Sequence, residues 1–260
     1  MEEQGIEKVK EVLEEQGIEN EANNDFVDLK SSKFNITDVS TDERVTVFGT
    51  TGAGKTWFIC WLMDKFSRKV PVIILDVKNE YSGIPEANRD WLKETKGISR
   101  ITHIVHKGRD IRDFKVISEY VFQNAFNRGN ICVVAEEIGN YIQKSGNLYE
   151  VAPHFAKYLT QGRKRNCSLI ATSQRSQFIR TDIPSQSEHI FCFNLSSKHD
   201  LESVKYYFEP SWFRYLKPYQ FFHKNIREKT VKKRFGLFRN QQIFGKQFIG
   251  KDKKERLSES

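Results

Sequence analysis

The sequence predicts an α/β fold with a mostly parallel central sheet covered by helices on both faces. Two observations carry that expectation. Short apolar, β-branched runs alternate with stretches of helical spacing, the pattern of strands buried on both faces. Between the first such run, Arg44-Val45-Thr46-Val47-Phe48, and a helical stretch opening at Trp57 lies Gly49-Thr50-Thr51-Gly52-Ala53-Gly54-Lys55-Thr56. The octet fits G-x-x-x-x-G-K-[ST], a phosphate-binding loop in the strand–loop–helix context such a loop needs. Its glycines let consecutive N–H groups turn inward on one phosphate, and the helix that follows adds its positive N-terminus. Lys55 is expected to reach the β- and γ-phosphates of a nucleoside triphosphate, and the Thr56 hydroxyl to ligate Mg²⁺.

In chain order, residues 1–43 form an acidic arm and linker, with 13 Asp/Glu against 4 Lys/Arg. Within the arm, Glu2-Glu3-Gln4-Gly5-Ile6-Glu7 recurs at Glu14-Glu15-Gln16-Gly17-Ile18-Glu19, and Val9, Val12 and Leu13 suggest a short helix from Lys8 to Glu15. Such a helix is marginal unless it docks on something. Asn20 to Ser32 reads as a linker. After the phosphate loop, Val70 to Asp76 and Ile101 to Val105 read as the second and third strands. Asp110 to Asn127 has helical spacing and stops at Gly129; Ile131 to Ala135 is a fourth strand, and Val151 to Gln161 a helix. Cys167 to Thr172 is a fifth strand and His189 to Leu195 a sixth, with Ser197 placed to cap a helix from Lys198 to Phe208. These elements assign residues 44–225 to one phosphate-loop domain. Residues 226–260 read as a basic tail, and the last fifty residues hold 14 Lys/Arg against 4 Asp/Glu.

Bulk properties narrow the class. The net charge of +8 and its concentration at one end point to a polyanionic partner. Cys60, Cys132, Cys167 and Cys192 sit in apolar runs without a C-x-x-C pair, which suggests buried thiols in a reducing compartment. The N-terminus is acidic, unlike a signal peptide, and no apolar window is long enough for a transmembrane segment, so an intracellular, cytoplasmic protein is expected.

In a parallel sheet, ligands bind beyond the carboxyl ends of the strands. Asp76, Glu136, Glu137 and Gln174 all fall there, on the same edge as the phosphate loop. Triphosphate hydrolysis needs a held Mg²⁺, a group that orients water, and positive charge on the γ-phosphate. Glu136 is the candidate for the metal, Glu137 for the water, and Gln174 for sensing the γ-phosphate. Two adjacent carboxylates after a buried strand can equally begin a solvated loop, and Gln174 can be a polar strand end. The phosphate loop favours the catalytic reading.

GTTGAGKT (49–56), ILDVKNEY (74–81), CVVAEE (132–137), GRKRNCSLIATSQR (162–175) and HIFCFNLSSKHD (189–200) together resemble the FtsK/HerA superfamily of ring-forming, DNA-pumping ATPases. The resemblance covers roughly residues 44 to 225 in family order. It implies a RecA-like sheet, ATP with Mg²⁺ as ligands, Gln174 as sensor, and Arg163 or Arg165 as a finger reaching a neighbouring subunit's nucleotide. Glu136 stands where the family usually has Asp, which pushes its carboxylate outward by one methylene. The short flanks look most like the genome-packaging ATPases of membrane-containing double-stranded DNA viruses. That likeness implies duplex DNA, further copies of the same chain in a hexameric ring, and capsid or portal-vertex proteins as partners, in host cytoplasm or on the virion. Alternatives are a HerA-like or conjugative DNA pump of a cell or plasmid, and an assembly NTPase that switches shape without moving DNA. A small-molecule kinase is disfavoured, because a carboxylate pair suits activation of water. The clustered cations Lys229, Lys232, Lys233, Arg234 and Arg239, followed by Lys246, Lys251, Lys253, Lys254 and Arg256, suit phosphate tracking without sequence readout.

Overall fold

The computed structural model describes residues 26–35, 38–81, 84, 86–87, 101–107 and 110–235. Its centre is a run of parallel strands: β2 (Val45–Phe48), β3 (Val72–Asp76), β4 (Ile101–Val105), β5 (Ile131–Ala135), β6 (Cys167–Ser173) and β7 (His189–Cys192). They lie in the order β7-β2-β6-β5-β3-β4. The chain then turns back. β8 (Gln220–Asn225) runs antiparallel to β7, β9 (Thr230–Phe235) antiparallel to β8, and β1 (Phe26–Lys33) lies parallel to β9 at the outer edge. The mostly parallel sheet expected from the sequence is present.

Alternate residues of the central strands feed opposite layers, because side chains alternate across a pleated strand. Val45, Val47, Val72, Ile74, Cys132, Val134 and Ile170 pack on the side of α1 (Lys55–Ser67), against Phe58, Leu62 and Phe66. Phe48, Ile73, Leu75, Val133, Ala135 and Leu169 face α2 (Ile111–Arg128) and α4 (Pro153–Gln161), against Phe114, Phe122, Phe155 and Leu159. Both faces of each strand are therefore dry, which is why the strands read as unbroken apolar runs. Short helices α3 (Leu148–Val151), α5 (Asp182–Ser185) and α6 (Lys198–Val204) complete the connections. The four cysteines are buried free thiols. Among the described residues, no helix is long and apolar enough to cross a membrane.

Element boundaries differ from expectation for local reasons. Asp110 caps α2 by accepting the Arg112 N–H at 2.9 Å. α4 opens at Pro153 and not at Val151, because the residue before a proline is pushed out of the helical region; Ala152 has φ −153°. β7 stops at Cys192, where the chain bends to run beside the phosphate loop, and α6 stops at Val204 without a capping bond from Ser197.

The sheet also extends past both ends of residues 44–225. β1 includes most of the expected linker, and β9 includes part of the expected basic tail. Lys232, Lys233 and Arg234 thus lie on a half-buried inner strand, a position that long aliphatic stems tolerate. Arg234 pairs with Asp38 at 3.7 Å and Arg227 with Glu43 at 2.7 Å, so part of the acidic arm meets part of the basic tail within one chain. The repeated arm segment, the Lys8–Glu15 helix and the cations from Arg239 onward lie outside the described residues.

Phe34, just after β1, plugs this region. Its ring lies 5.3–5.8 Å from the rings of Phe58, Trp61, Phe191, Phe221 and His223. Next to it, His189 bridges Glu43 Oε2 (2.9 Å from Nε2) and His223 Nε2 (2.9 Å from Nδ1). With the His189 Nε2–H given to Glu43, its Nδ1 accepts from His223. Burial, with His189, Arg234 and Lys232 nearby, holds His223 well below the ordinary 6.5. The unfolded chain therefore takes up a proton below pH 6.5 that the folded chain refuses, and stability falls as pH drops. Glu43 is held below its ordinary 4.5: burial opposes its charge, but the His189 hydrogen bond, the Ser40 N–H and Arg227 outweigh it. Its contribution is thus lost only below that value. Thermal melts from pH 6.5 to 4.5 should show a loss of up to about 1.4 kcal/mol per pH unit from His223. The slope should flatten in His223→Gln; an unchanged slope would place the acid sensitivity elsewhere.

Candidate functional site

The phosphate loop leaves the carboxyl end of β2, with β6 on one side and β7 on the other. Thr50 anchors it to the β7 side, its N–H and its hydroxyl both donating to Asn194 O at 3.0 and 3.1 Å. Two glycines are demanded by close approach. A Cβ on Gly49 would stand 2.6 Å from Phe193 Cβ, and one on Gly54 would stand 2.9 Å from Tyr219 Cδ1. Gly54 has φ +105° and serves as the N-cap of α1. Lys55 is buried in the cradle, its Nζ donating to Gly49 O (2.5 Å) and Thr50 O (3.0 Å). Burial lowers its pKa, and Glu137, Glu80 and Glu136 pull it back up.

Carboxylates gather on the other side. Asp76, at the end of β3, is fully buried and accepts the N–H groups of Lys78 (3.1 Å), Glu80 (3.2 Å) and Tyr81 (3.2 Å). His103 Nε2 adds a fourth contact at 3.0 Å and fixes its own ring through Ile84 O. Burial opposes the charge on Asp76, but His103 and these N–H groups outweigh it and hold the carboxyl below its usual range. The curl around Asp76 returns Glu80 to the phosphate loop, where its Oε2 accepts the Thr56 hydroxyl at 3.1 Å. Sequence reasoning missed Glu80. It lies four residues beyond a strand end, and only the curl imposed by Asp76 brings it to Thr56.

Glu136 and Glu137 follow β5 and have opposite environments. Glu136 is 3% exposed, and its pKa is pushed well up by burial first, then by Glu80, Asp76 and Glu137. It shares a hydrogen bond with Asp76, and its Oε2 has no partner. Glu137 takes a left-handed backbone, φ 45° and ψ 47°, uncommon for a residue with a side chain. Its N–H donates to Thr172 Oγ1 (3.1 Å), and its carboxylate accepts the Gln174 N–H at 3.0 and 3.1 Å. Lys78 Nζ stands 3.4 Å from Glu137 Oε1. The Gln174 side chain in turn accepts the Thr51 hydroxyl at 3.1 Å, which joins β6 to the loop. Lys55, Thr56, Glu136, Glu137 and Gln174 therefore share one edge of the sheet.

The Thr56 hydroxyl meets the Glu80 carboxylate, and such oxygen donors suit Mg²⁺, a cation that takes few protein ligands and keeps waters and phosphate oxygens. Among the described residues, no cluster of His, Cys, Asp and Glu would hold a metal by itself. The partnerless Glu136 oxygen and the Glu80 carboxylate at Thr56 fit a cation completed by phosphate.

The two arginines are not at this edge. Both precede β6 and lie at the opposite end of the sheet. Arg165 donates to Phe126 O (2.7 Å) and Asn127 O (2.6 Å), capping the last turn of α2, and covers the Phe126 ring. Arg163 stands 3.6 Å from Glu188 Oε1 and remains 55% exposed. Of the pair, Arg163 is the one whose guanidinium can leave its place at small cost.

The Gly49 geometry gives a direct test. Gly49→Ala drives a methyl group into Phe193 at a backbone φ of +151°, and the overpacking should add about 1–3 kcal/mol to the backbone strain. Gly52→Ala meets nothing within 4 Å and should cost only about 1 kcal/mol for its left-handed φ of +75°. Denaturant melts of the two variants check the order, and equal costs would contradict the Phe193 contact.

Comparison with known proteins bears on the fold. The family described as "Helicase HerA, central domain" matches residues 34–117. The DNA packaging ATPase P9 of Enterobacteria phage PRD1 is 24% identical over 169 residues, covering 63% of this chain and 69% of P9. Genome packaging NTPase B204 of Sulfolobus turreted icosahedral virus 2, solved with ATP-gammaS, superposes with a TM-score of 0.61 at 20% identity, over 75% of this chain and 98% of B204. The DNA-packaging ATPase B204 of Sulfolobus turreted icosahedral virus gives 0.60 at 18% identity, over 74% and 96%. The sheet order, the phosphate loop and these matches together show a P-loop ATPase fold, with residues 34–117 similar to the central domain of HerA.

Proposed function

We propose that the chain is an ATP-hydrolysing translocase of double-stranded DNA that serves viral genome packaging. The observation that carries this reading is the Glu137–Gln174 pair, held across β5 and β6 beside Lys55. Related P9 is a DNA packaging ATPase and related B204 a genome packaging NTPase. Those roles support the substrate and the setting.

In this reading Lys55 leaves the loop carbonyls for the β- and γ-phosphates. The loop N–H groups from Gly49 to Thr56 cradle the rest of the triphosphate. Mg²⁺, held by Thr56 with Glu80 and Glu136 behind it, would neutralise charge on the phosphate oxygens. Glu137 orients a water for attack on the γ-phosphorus and takes up its proton, while the bond to the bridging oxygen breaks and ADP leaves. Gln174 reports the γ-phosphate to Thr51 and to Glu137. Arg163, at the far edge, suits a neighbouring subunit's nucleotide in a homo-oligomeric ring, taken as a hexamer. Capsid or portal-vertex proteins would recruit that ring.

Turnover with and without duplex tests the reading. Duplex DNA should raise ATP hydrolysis by the wild type. Lys55→Ala should lose tight ATP binding, and Glu137→Gln should bind ATP yet hydrolyse it at least ~100-fold more slowly. Full activity in Glu137→Gln with loss in Glu136→Gln would reverse the two roles. Hydrolysis indifferent to DNA would leave a nucleotide switch.

Subunit mixing tests the arginine. Arg163→Ala and Glu137→Gln, each inactive alone, should recover turnover when combined, because each protomer supplies what the other lacks. No rescue, together with turnover per subunit that is constant down to nanomolar protein, would remove Arg163 from the site.

A further inference from the structure

The chain enters β8 through the turn Lys217-Pro218-Tyr219-Gln220. Gln220 N–H donates to Lys217 O (3.0 Å), and Lys217 N–H donates to the Gln220 side-chain oxygen (3.0 Å). Proline at the second position with a positive φ at the third is the type II pattern, whose third residue is normally Gly or Asn. Here it is Tyr219, at φ +64°. A bulky residue in that region is strained, and such strain persists where the side chain is wanted.

The strained turn lays the Tyr219 ring against the phosphate loop. A Cβ on Gly54 would lie 2.9 Å from Tyr219 Cδ1 and 3.6 Å from Phe193 Cε1. Phe193 is fully buried, whereas Tyr219 is only half-buried. Direction along the loop then decides what that ring meets. Glu137 and Gln174 follow β5 and β6, on one side of β2. Phe193 follows β7 and Tyr219 leads into β8, on the other side. A triphosphate with its γ-phosphate at Glu137 and Gln174 must extend its nucleoside toward β7 and β8.

We propose that Tyr219 forms the nucleobase subsite, stacking on the base of the bound nucleotide; this rests on the nucleotide-binding reading above. An aromatic face grips any base without reading its hydrogen-bonding edge. The subsite therefore contributes affinity for a nucleoside triphosphate over its bare phosphate chain and discriminates little between bases.

Calorimetric titration of the full chain with ATP and with inorganic tripolyphosphate, both with Mg²⁺, separates the possibilities. Tyr219→Leu keeps apolar bulk over Gly54 and should bind ATP about tenfold or more weakly, with tripolyphosphate changed by less than about twofold. Tyr219→Phe should keep ATP affinity. Tyr219→Gly satisfies the turn, so it should remain folded even where Tyr219→Leu does not, and should lose the same ATP affinity. ATP and tripolyphosphate weakening together in these variants would make Tyr219 a prop for the loop and overturn the subsite, as would no change for either. Wild-type protein that binds the two probes equally would overturn the subsite while leaving the phosphate loop intact. Wild type that binds neither would overturn the nucleotide reading itself, and the subsite with it.

Discussion

The position of β2 between β6 and β7 is the constraint on which the site depends. As a central strand, β2 is buried on both faces, with Val45 and Val47 toward α1 and Phe48 toward the opposite layer. Its phosphate loop therefore emerges between two neighbours whose own carboxyl ends lie level with it. β6 delivers Gln174, and through Gln174 the Glu137 carboxylate. β7 delivers Phe193 and Asn194, which fix the loop's path and forbid side chains at Gly49. A parallel sheet makes this possible, because all its strands present the same end to one edge.

The electrostatics of that edge follow from burial. Asp76 is satisfied by His103 and three backbone N–H groups and is committed to shaping the turn that carries Glu80. Glu136 lies beside it with one oxygen unpartnered, and burial presses it toward its neutral form. Burial presses Lys55 the same way, opposed by the nearby carboxylates. Under the proposed function, a triphosphate and its cation bring the charges that each side lacks.

The closing strands answer a different need. β8, β9 and β1 extend the sheet past β7, and Phe34 seals the junction among five rings. The ion pairs of Arg227 with Glu43 and of Arg234 with Asp38 are partly exposed, and such pairs contribute roughly 0–1 kcal/mol. They serve alignment more than stability, which comes from the aromatic packing. Part of the charge asymmetry of the sequence is thereby internal to the fold.

The sequence by itself determined the local features. Unbroken apolar runs marked β2 to β7, because both faces of each strand are buried, and the phosphate loop identified itself by spacing. Polar residues at strand ends marked Glu136, Glu137 and Gln174, because a parallel sheet gathers its carboxyl ends on one edge. Only the tertiary structure decided the rest. β1 and β9 read as linker and tail, since a strand that pairs far along the chain carries no local signal of its partner. Glu80 and Tyr219 reach the loop from 24 and 165 residues beyond Thr56 and Gly54 through chain reversals, one curled around Asp76 and one turned at Pro218. Arg163 and Arg165 look alike in sequence, yet one caps α2 and the other stays largely exposed, because only the folded sheet brings the carbonyls of Phe126 and Asn127 to one guanidinium and not to the other.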